Sequence, residues 1–267
     1  VLALRRANRG MEGMTIDPAS DRIHAFLQSP LSDGKTRYAV SGKDEKIERF
    51  ARFLRWIEFD PASGATVRML AYPLDGAEYA DGRTGNAKLG DMVALGSDKF
   101  IVIEQGEGAG GGIVNRLMLV ELAGATNILA PAFNPATSDL EKSSMRDEPV
   151  HGADWSRVTP LKKSMLLDLN AIGWIAEKAE GLAFADERTL GITNDNDFGM
   201  KTRVFDAKGA ELAHADVTNF EVDAQGNIVA GSAPTDRVRV AKGADHERPL
   251  TLWLLRFDRP LASYSVS

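Results

Sequence analysis

Three stretches of this chain share one layout. An acidic residue heads a short apolar strand, a turn follows, and a second strand ends in an amide or an acid. They open at Glu12-Gly13-Met14, Asp91-Met92-Val93 and Glu180-Gly181-Leu182. Gln28, Glu104 and Asn194 follow, each about one hairpin later. Short strands separated by turns, repeated in four-strand units, suggest radial repetition. The expected fold is therefore all-β: a β-propeller of four-stranded blades, forming a single domain over residues 1–267. The acids heading the first strands would then converge near the channel. A β-sandwich is the competing arrangement, and it would scatter them over the surface.

The hairpins are set by local chemistry. Pro18-Ala19-Ser20-Asp21 places proline early in a turn, and Arg22–Gln28 then alternates, with Ile23, Ala25 and Leu27 on one face. A second hairpin is expected over 50–60 and 66–73, around Pro61-Ala62-Ser63-Gly64. Residues 32–49 are polar and read as an inserted loop, with one helical turn near Glu45–Phe50. Gly96-Ser97-Asp98 turns between two further strands. Leu117–Leu122 is the next strand, and Ala125–Leu129 is a fourth strand or a connector. Residues 131–160 form a surface excursion, after which Leu166–Leu169 regains strand character. Leu252–Phe257 is apolar enough to predict a strand buried on both faces.

Composition narrows the function classes. A net charge of −6 argues against a general nucleic-acid binder, which would carry a basic excess. With no cysteine, disulfides, zinc–thiolate sites and cysteine nucleophiles are excluded. No apolar run is long enough to span a bilayer, and Val1–Arg6 is too short and too basic for a signal-peptide core.

At the level of motifs the chain resembles the phytase-like esterase domain family, the "esterase-like activity of phytase". The matching pieces are Asn8-Arg9-Gly10-Met11-Glu12-Gly13-Met14 with Leu27-Gln28-Ser29-Pro30-Leu31, Asp91–Leu95 with Ile103-Glu104, and Glu180–Ala183 with Asn194–Gly199. The resemblance implies a β-propeller of exported bacterial proteins, periplasmic or secreted, associated with phosphoester hydrolysis through Glu and Asp. Family members carry further blade-like sequence before the position of Asn8, where this chain has seven residues. On that basis blades at the N-terminus are expected to be missing from it.

The carboxylates carry the chemical expectation. A hard cation such as Ca²⁺ takes about six to eight oxygen ligands. Carboxylates gathered at a channel would repel one another unless a cation or proton sat between them. Glu12, Asp91, Glu104, Glu180, Asn194, Asp195 and Asp197 form the expected metal set, and Glu12, Glu180 and Asp195 the expected catalytic set. The bound divalent ion, Ca²⁺ first, would activate water against a small-molecule phosphoester. The bland alternative makes Asn194–Asp197 an Asx turn, its side chains bonding its own backbone. At the level of function, the alternative is a non-catalytic propeller that binds a ligand or protein partner, with any ion structural.

Other candidates are weaker. No serine lies in Gly-x-Ser-x-Gly, which argues against a serine esterase. His24 alternates with core residues and is expected to be a strand histidine. His151, near Asp154, reads as a surface residue or as a general acid or base. The run Gly106–Gly112 lacks Gly-Lys-Ser/Thr and reads as a loop tip. Arg116, Lys162, Lys163, Lys201 and Arg203 could supply charge for phosphate, and Trp56 and Trp253 are expected to pack.

Overall fold

The computed structural model describes residues 2–6, 8–39, 46–134, 136–145, 153–206, 208–212, 220–225, 227–231, 235–243, 245 and 248–267. His151, His214, His246 and Glu45 lie outside these residues. The chain divides into two compact units, one of residues 1–193 with 252–267 and one of residues 194–251.

The first unit is built from antiparallel sheets. Its first sheet begins with the hairpin β1 (Met11–Ile16) and β2 (Ile23–Leu27). A two-residue ribbon follows, β3 (Arg37–Tyr38) against β4 (Ile47–Glu48). The helical turn expected near 45–50 is thus replaced at Ile47–Glu48 by extended chain, held by its pairing to β3. The sheet is completed by β5 (Phe53–Asp60) and β6 (Ala65–Pro73), in the order β1-β2-β5-β6.

Asp-Pro-Ala-Ser closes both hairpins of this sheet. Asp17 accepts the Ala19 N–H at 3.0 Å and the Ser20 hydroxyl at 2.9 Å. Asp60 does the same with Ala62 and Ser63, at 3.1 and 2.8 Å. Such a carboxylate satisfies turn donors that would otherwise go unpaired, so the turn is encoded within four residues.

The second sheet contains β7 (Ala87–Gly96), β8 (Lys99–Glu107), β9 (Ile113–Glu121) and β10 (Lys162–Asp168), in consecutive order. Ser97 and Asp98 both have positive φ, 54° and 59°, the combination that fits the twist of a two-residue hairpin. Ala125–Leu129 is a connector. The fourth strand is β10, beyond the excursion, where Lys162–Asp168 pairs with Arg116–Glu121 of β9.

That excursion includes the short helix α1 (Leu140–Ser144), capped by Asp139. Glu141 of α1 is buried against Arg55 of β5, with N···O distances of 2.7 and 2.6 Å. Beside it, Ile128, Leu140 and Trp155 cover Phe53, Ile57 and Met69 on one face of the first sheet.

The third sheet is β11 (Gly181–Asp186), β12 (Thr189–Thr193) and, after a long insertion, β17 (Leu252–Arg256). Between them, the second unit holds β13 (Met200–Asp206) paired with β16 (Thr235–Lys242), and β14 (Phe220–Val222) paired with β15 (Ile228–Gly231). Contrary to expectation, β17 is not buried on both faces. Trp253 and Leu255 pack inward, whereas Leu252 and Leu254 are exposed. The reason is that the cluster holding Trp253 and Leu255 covers only one side of this sheet.

The two main cores lie between sheets. Phe26, Trp56, Leu70 and Tyr72 of the first sheet meet Leu89, Met92, Phe100 and Val102 of the second. On its other face, Val93, Ile101, Leu117 and Leu119 of the second sheet meet Leu182, Leu190 and Ile192 of the third. Alternation along β7 and β8 thus feeds two cores from one sheet. The first strands of neighbouring sheets also touch. Leu89 of β7 donates its N–H to the Gln28 carbonyl at 2.9 Å. Asp91 of β7 accepts the Leu182 N–H of β11, also at 2.9 Å.

His24 is a buried strand histidine. Its Nδ1 accepts the Trp56 indole N–H at 3.1 Å, and its ring packs 4.6 Å from Phe100. Burial pushes the imidazole pKa down, against the opposing charges of Glu58 and Asp17. The unfolded chain therefore binds a proton at this residue more readily than the folded one. Stability is expected to fall as pH drops below about 6.5, the ordinary histidine value. Denaturant titrations at pH 7.5 and pH 5.5 should show the loss, and His24→Gln should reduce the slope between them.

Candidate active site

The heads of β1, β7 and β11 bring together charged residues that are far apart in sequence. Arg9 precedes β1 and is half-buried. Its Nη1 donates to Gln28 Oε1 at 3.2 Å, while the Gln28 N–H donates to the Gly10 carbonyl at 2.9 Å. Burial pushes the Arg9 pKa down, and the carboxylates of Glu180 and Glu12 pull it back up. Lys88, in the first turn of pairing of β7, also has its pKa lowered by burial and by Arg9, while Glu177 and Glu180 counter. Arg9 thus lies within the electrostatic reach of Glu12, Glu180 and Lys88, and Lys88 within that of Glu180.

Glu180 is held in this group by its backbone. Its N–H donates to the Thr193 carbonyl at 3.0 Å. The segment before it lies against Gly90 so closely that a Cβ on Gly90 would stand 2.4 Å from the Ala179 carbonyl oxygen. Only glycine permits that approach. Gln105 Oε1 accepts the Ala179 N–H at 2.9 Å, and Asn115 Nδ2 donates to the Ala176 carbonyl at 3.3 Å. Two amide side chains of β8 and β9 thus clasp residues 176–179 and present Glu180 beside β7.

The other expected ligands have different surroundings. Asp91 accepts the N–H groups of Met92 and Leu182, at 2.8 and 2.9 Å, and so joins β7 to β11. Burial raises its pKa against those two bonds. Glu104 is buried on the side of β8 that faces the first sheet. Its Oε1 accepts the Tyr79 hydroxyl at 2.6 Å. Its Oε2 accepts the Tyr72 hydroxyl at 2.6 Å and Lys163 Nζ at 2.5 Å. Both tyrosine pKa values rise, first from burial and then from the carboxylate. Gln105, one residue on, faces the other way and accepts the Ala179 N–H. A one-residue step in a strand reverses the face.

Asn194, Asp195 and Asp197 belong to the second unit. Buried Asn194 donates to the Pro249 carbonyl at 3.0 Å and accepts the Thr251 N–H at 2.7 Å, closing the base of that unit. Asp195 accepts the Asp197 N–H at 2.9 Å, which is the Asx-turn geometry. Asp197 and Phe198 both sit at positive φ.

The fit to a hard cation can be judged from these donors. Calcium needs about six to eight oxygens. Among the described residues no three Asp, Glu or His side chains are grouped to hold an ion. Asp91 and Glu104 have donors on both oxygens, and the half-buried Arg9 supplies the positive charge next to Glu12 and Glu180. This donor set does not fit a carboxylate cage. Of the basic candidates, Arg116 pairs with Glu78, Lys163 with Glu104 and Arg203 with Glu211.

A family model described as "Phytase-like: Esterase-like activity of phytase" matches residues 3–198, more than half of the chain. The chain belongs to this phytase-like family. No curated protein and no solved structure matches it. The phytase-like match spans β1, β7, β11 and β12 and ends at Phe198, so it contains the whole Arg9–Glu12–Lys88–Glu180 group. Most of the second unit lies beyond it. Arg9 stands inside the family motif, yet its place beside Glu180 depends on three sheets meeting and is invisible in one strand. Lys88 carries no motif; only its pairing opposite Gln105 in the β7–β8 ladder marks it.

Proposed function

We propose that this protein hydrolyses a phosphoester at the shared edge of three propeller blades, where β1, β7 and β11 meet. The supporting observation is the close meeting of β7 with β11 at Gly90 and Asp91, which sets Glu180 within the electrostatic reach of Arg9 and Lys88, with Glu12 acting on Arg9. The family description adds a hydrolase-type activity. The blade reading is supported by two four-stranded antiparallel sheets and by the contact between the first strands of the second and third sheets.

In this reading Arg9 binds the phosphoryl oxygens, since a guanidinium matches them with paired donors. Glu180 takes a proton from water as the water oxygen bonds to phosphorus. The bond from phosphorus to the leaving oxygen breaks, and that oxygen takes a proton from Lys88, whose lowered pKa makes it the better acid. Glu12 balances the charge of Arg9. The products are an alcohol and a phosphate. Asp195 takes no step here, because its carboxylate serves its own turn.

Turnover of p-nitrophenyl phosphate, with and without EDTA, tests the reading. Activity that survives EDTA, with Arg9→Gln raising KM by at least about tenfold for the lost charge-assisted bonds, is the expected result. Activity abolished by EDTA would instead assign Glu12 and Glu180 to a divalent ion. No turnover of any phosphoester or carboxylester would favour a ligand-binding protein without catalysis.

A further inference from the structure

Lys88, Gln105 and Asn115 stand directly opposite one another across β7, β8 and β9. Residues paired in this way share a face of the sheet. Gln105 is the middle member of the row and is 1 % exposed. It sits opposite Lys88, and its Oε1 holds the Ala179 N–H, next to Glu180, at 2.9 Å. One side chain thus ties the segment that carries Glu180 to the strand pair that carries Lys88. The tie is reinforced from β9. Buried Asn115 donates Nδ2 to the Ala176 carbonyl at 3.3 Å, which also accepts the Trp174 indole N–H at 3.1 Å. Asn170 Oδ1 accepts the Asn115 backbone N–H at 2.6 Å, and Asn170 Nδ2 donates to the Trp174 carbonyl at 3.1 Å.

These two amides are placed at a cost. Accepting from Ala179 commits Gln105 Oε1 and leaves Nε2 over. Donating to Ala176 commits Asn115 Nδ2 and leaves Oδ1 over. Both remaining atoms are buried without a partner among the described residues. A buried polar atom in that state lowers stability, and an apolar side chain of the same shape would avoid it. Proteins carry such costs where function needs a fixed geometry.

We propose that Gln105 is a positioning residue for the hydrolysis, fixing Glu180 relative to Lys88 through the Ala179 N–H, with Asn115 as its support. The proposal rests on the hydrolase reading, in which Glu180 is the base and Lys88 the acid. The test is kcat and KM for p-nitrophenyl phosphate in the wild type, Gln105→Met, Glu180→Gln and the double variant. Methionine keeps the length of the side chain and removes the amide. A misplacement of about 1 Å costs up to about 100-fold in rate, so Gln105→Met should lower kcat at least about tenfold with KM within about twofold. On the Glu180→Gln background the same substitution should change kcat less than about twofold, because its effect passes through Glu180. A clasp that served only the fold would lower the melting temperature and leave the two effects on kcat additive. Gln105→Leu gives the same comparison if Gln105→Met does not fold. A kcat within about threefold of wild type in Gln105→Met, or an undiminished fall on the Glu180→Gln background, would overturn the positioning role and leave the hydrolase reading standing. A wild type that turns over no phosphoester would overturn both.

Discussion

Lys163→Met is expected to destabilise the protein by about 3–5 kcal/mol, the cost of leaving a buried carboxylate without its cation. Glu104 is 1 % exposed, and Lys163 Nζ reaches its Oε2 at 2.5 Å. The same ammonium lies 4.7 Å from the centre of the Tyr72 ring, a contact that methionine keeps only through its stem. Tyr72 and Tyr79 would go on donating to the carboxylate, but neither can neutralise it, since burial beside Glu104 pushes both phenols to hold their protons. Adding Glu104→Gln removes the stranded charge, so the double variant should be more stable than Lys163→Met alone. Urea unfolding of the two singles and the double gives the coupling. A loss below about 1 kcal/mol for Lys163→Met would place the pair with ordinary surface ion pairs.

This cluster also explains where sequence reasoning stops. The hairpins at 17–20 and 60–63 were legible because Asp, Pro and Ser act within four residues, and the structure spends both carboxylates on those turns. The alternation of β2 and the strand starts beside Glu12 and Glu180 were legible for the same local reason, whereas Asp91, expected to head its strand, stands mid-way along β7, which begins at Ala87. What a strand head meets is another matter. Glu104 and Gln105 are neighbours in sequence, yet one faces Tyr72 of the first sheet and the other the backbone of Ala179. Choosing between them requires the register of β8 against β7 and β9. The fourth strand of the second sheet, β10, was obscured by the excursion that separates it from β9. The apolar run at 252–256 suggested burial on both sides because composition does not show how many faces of a sheet are covered. Arg9 and Lys88 are unmarked in the sequence, because a single cation in a polar stretch has no signal until the carboxylates that act on it are placed.

The proposed hydrolysis depends on Glu180. Its backbone N–H holds the strand by bonding to Thr193, a bond that Glu180→Gln keeps while removing the carboxylate and its charge on Arg9 and Lys88. General acid–base groups contribute about 10²–10⁴-fold to a rate. The decisive measurement is kcat for a phosphomonoester in wild type and Glu180→Gln at equal melting temperature. A fall of at least about 100-fold with KM little changed is expected. Turnover within about threefold of wild type would contradict it and remove Glu180 from the chemistry.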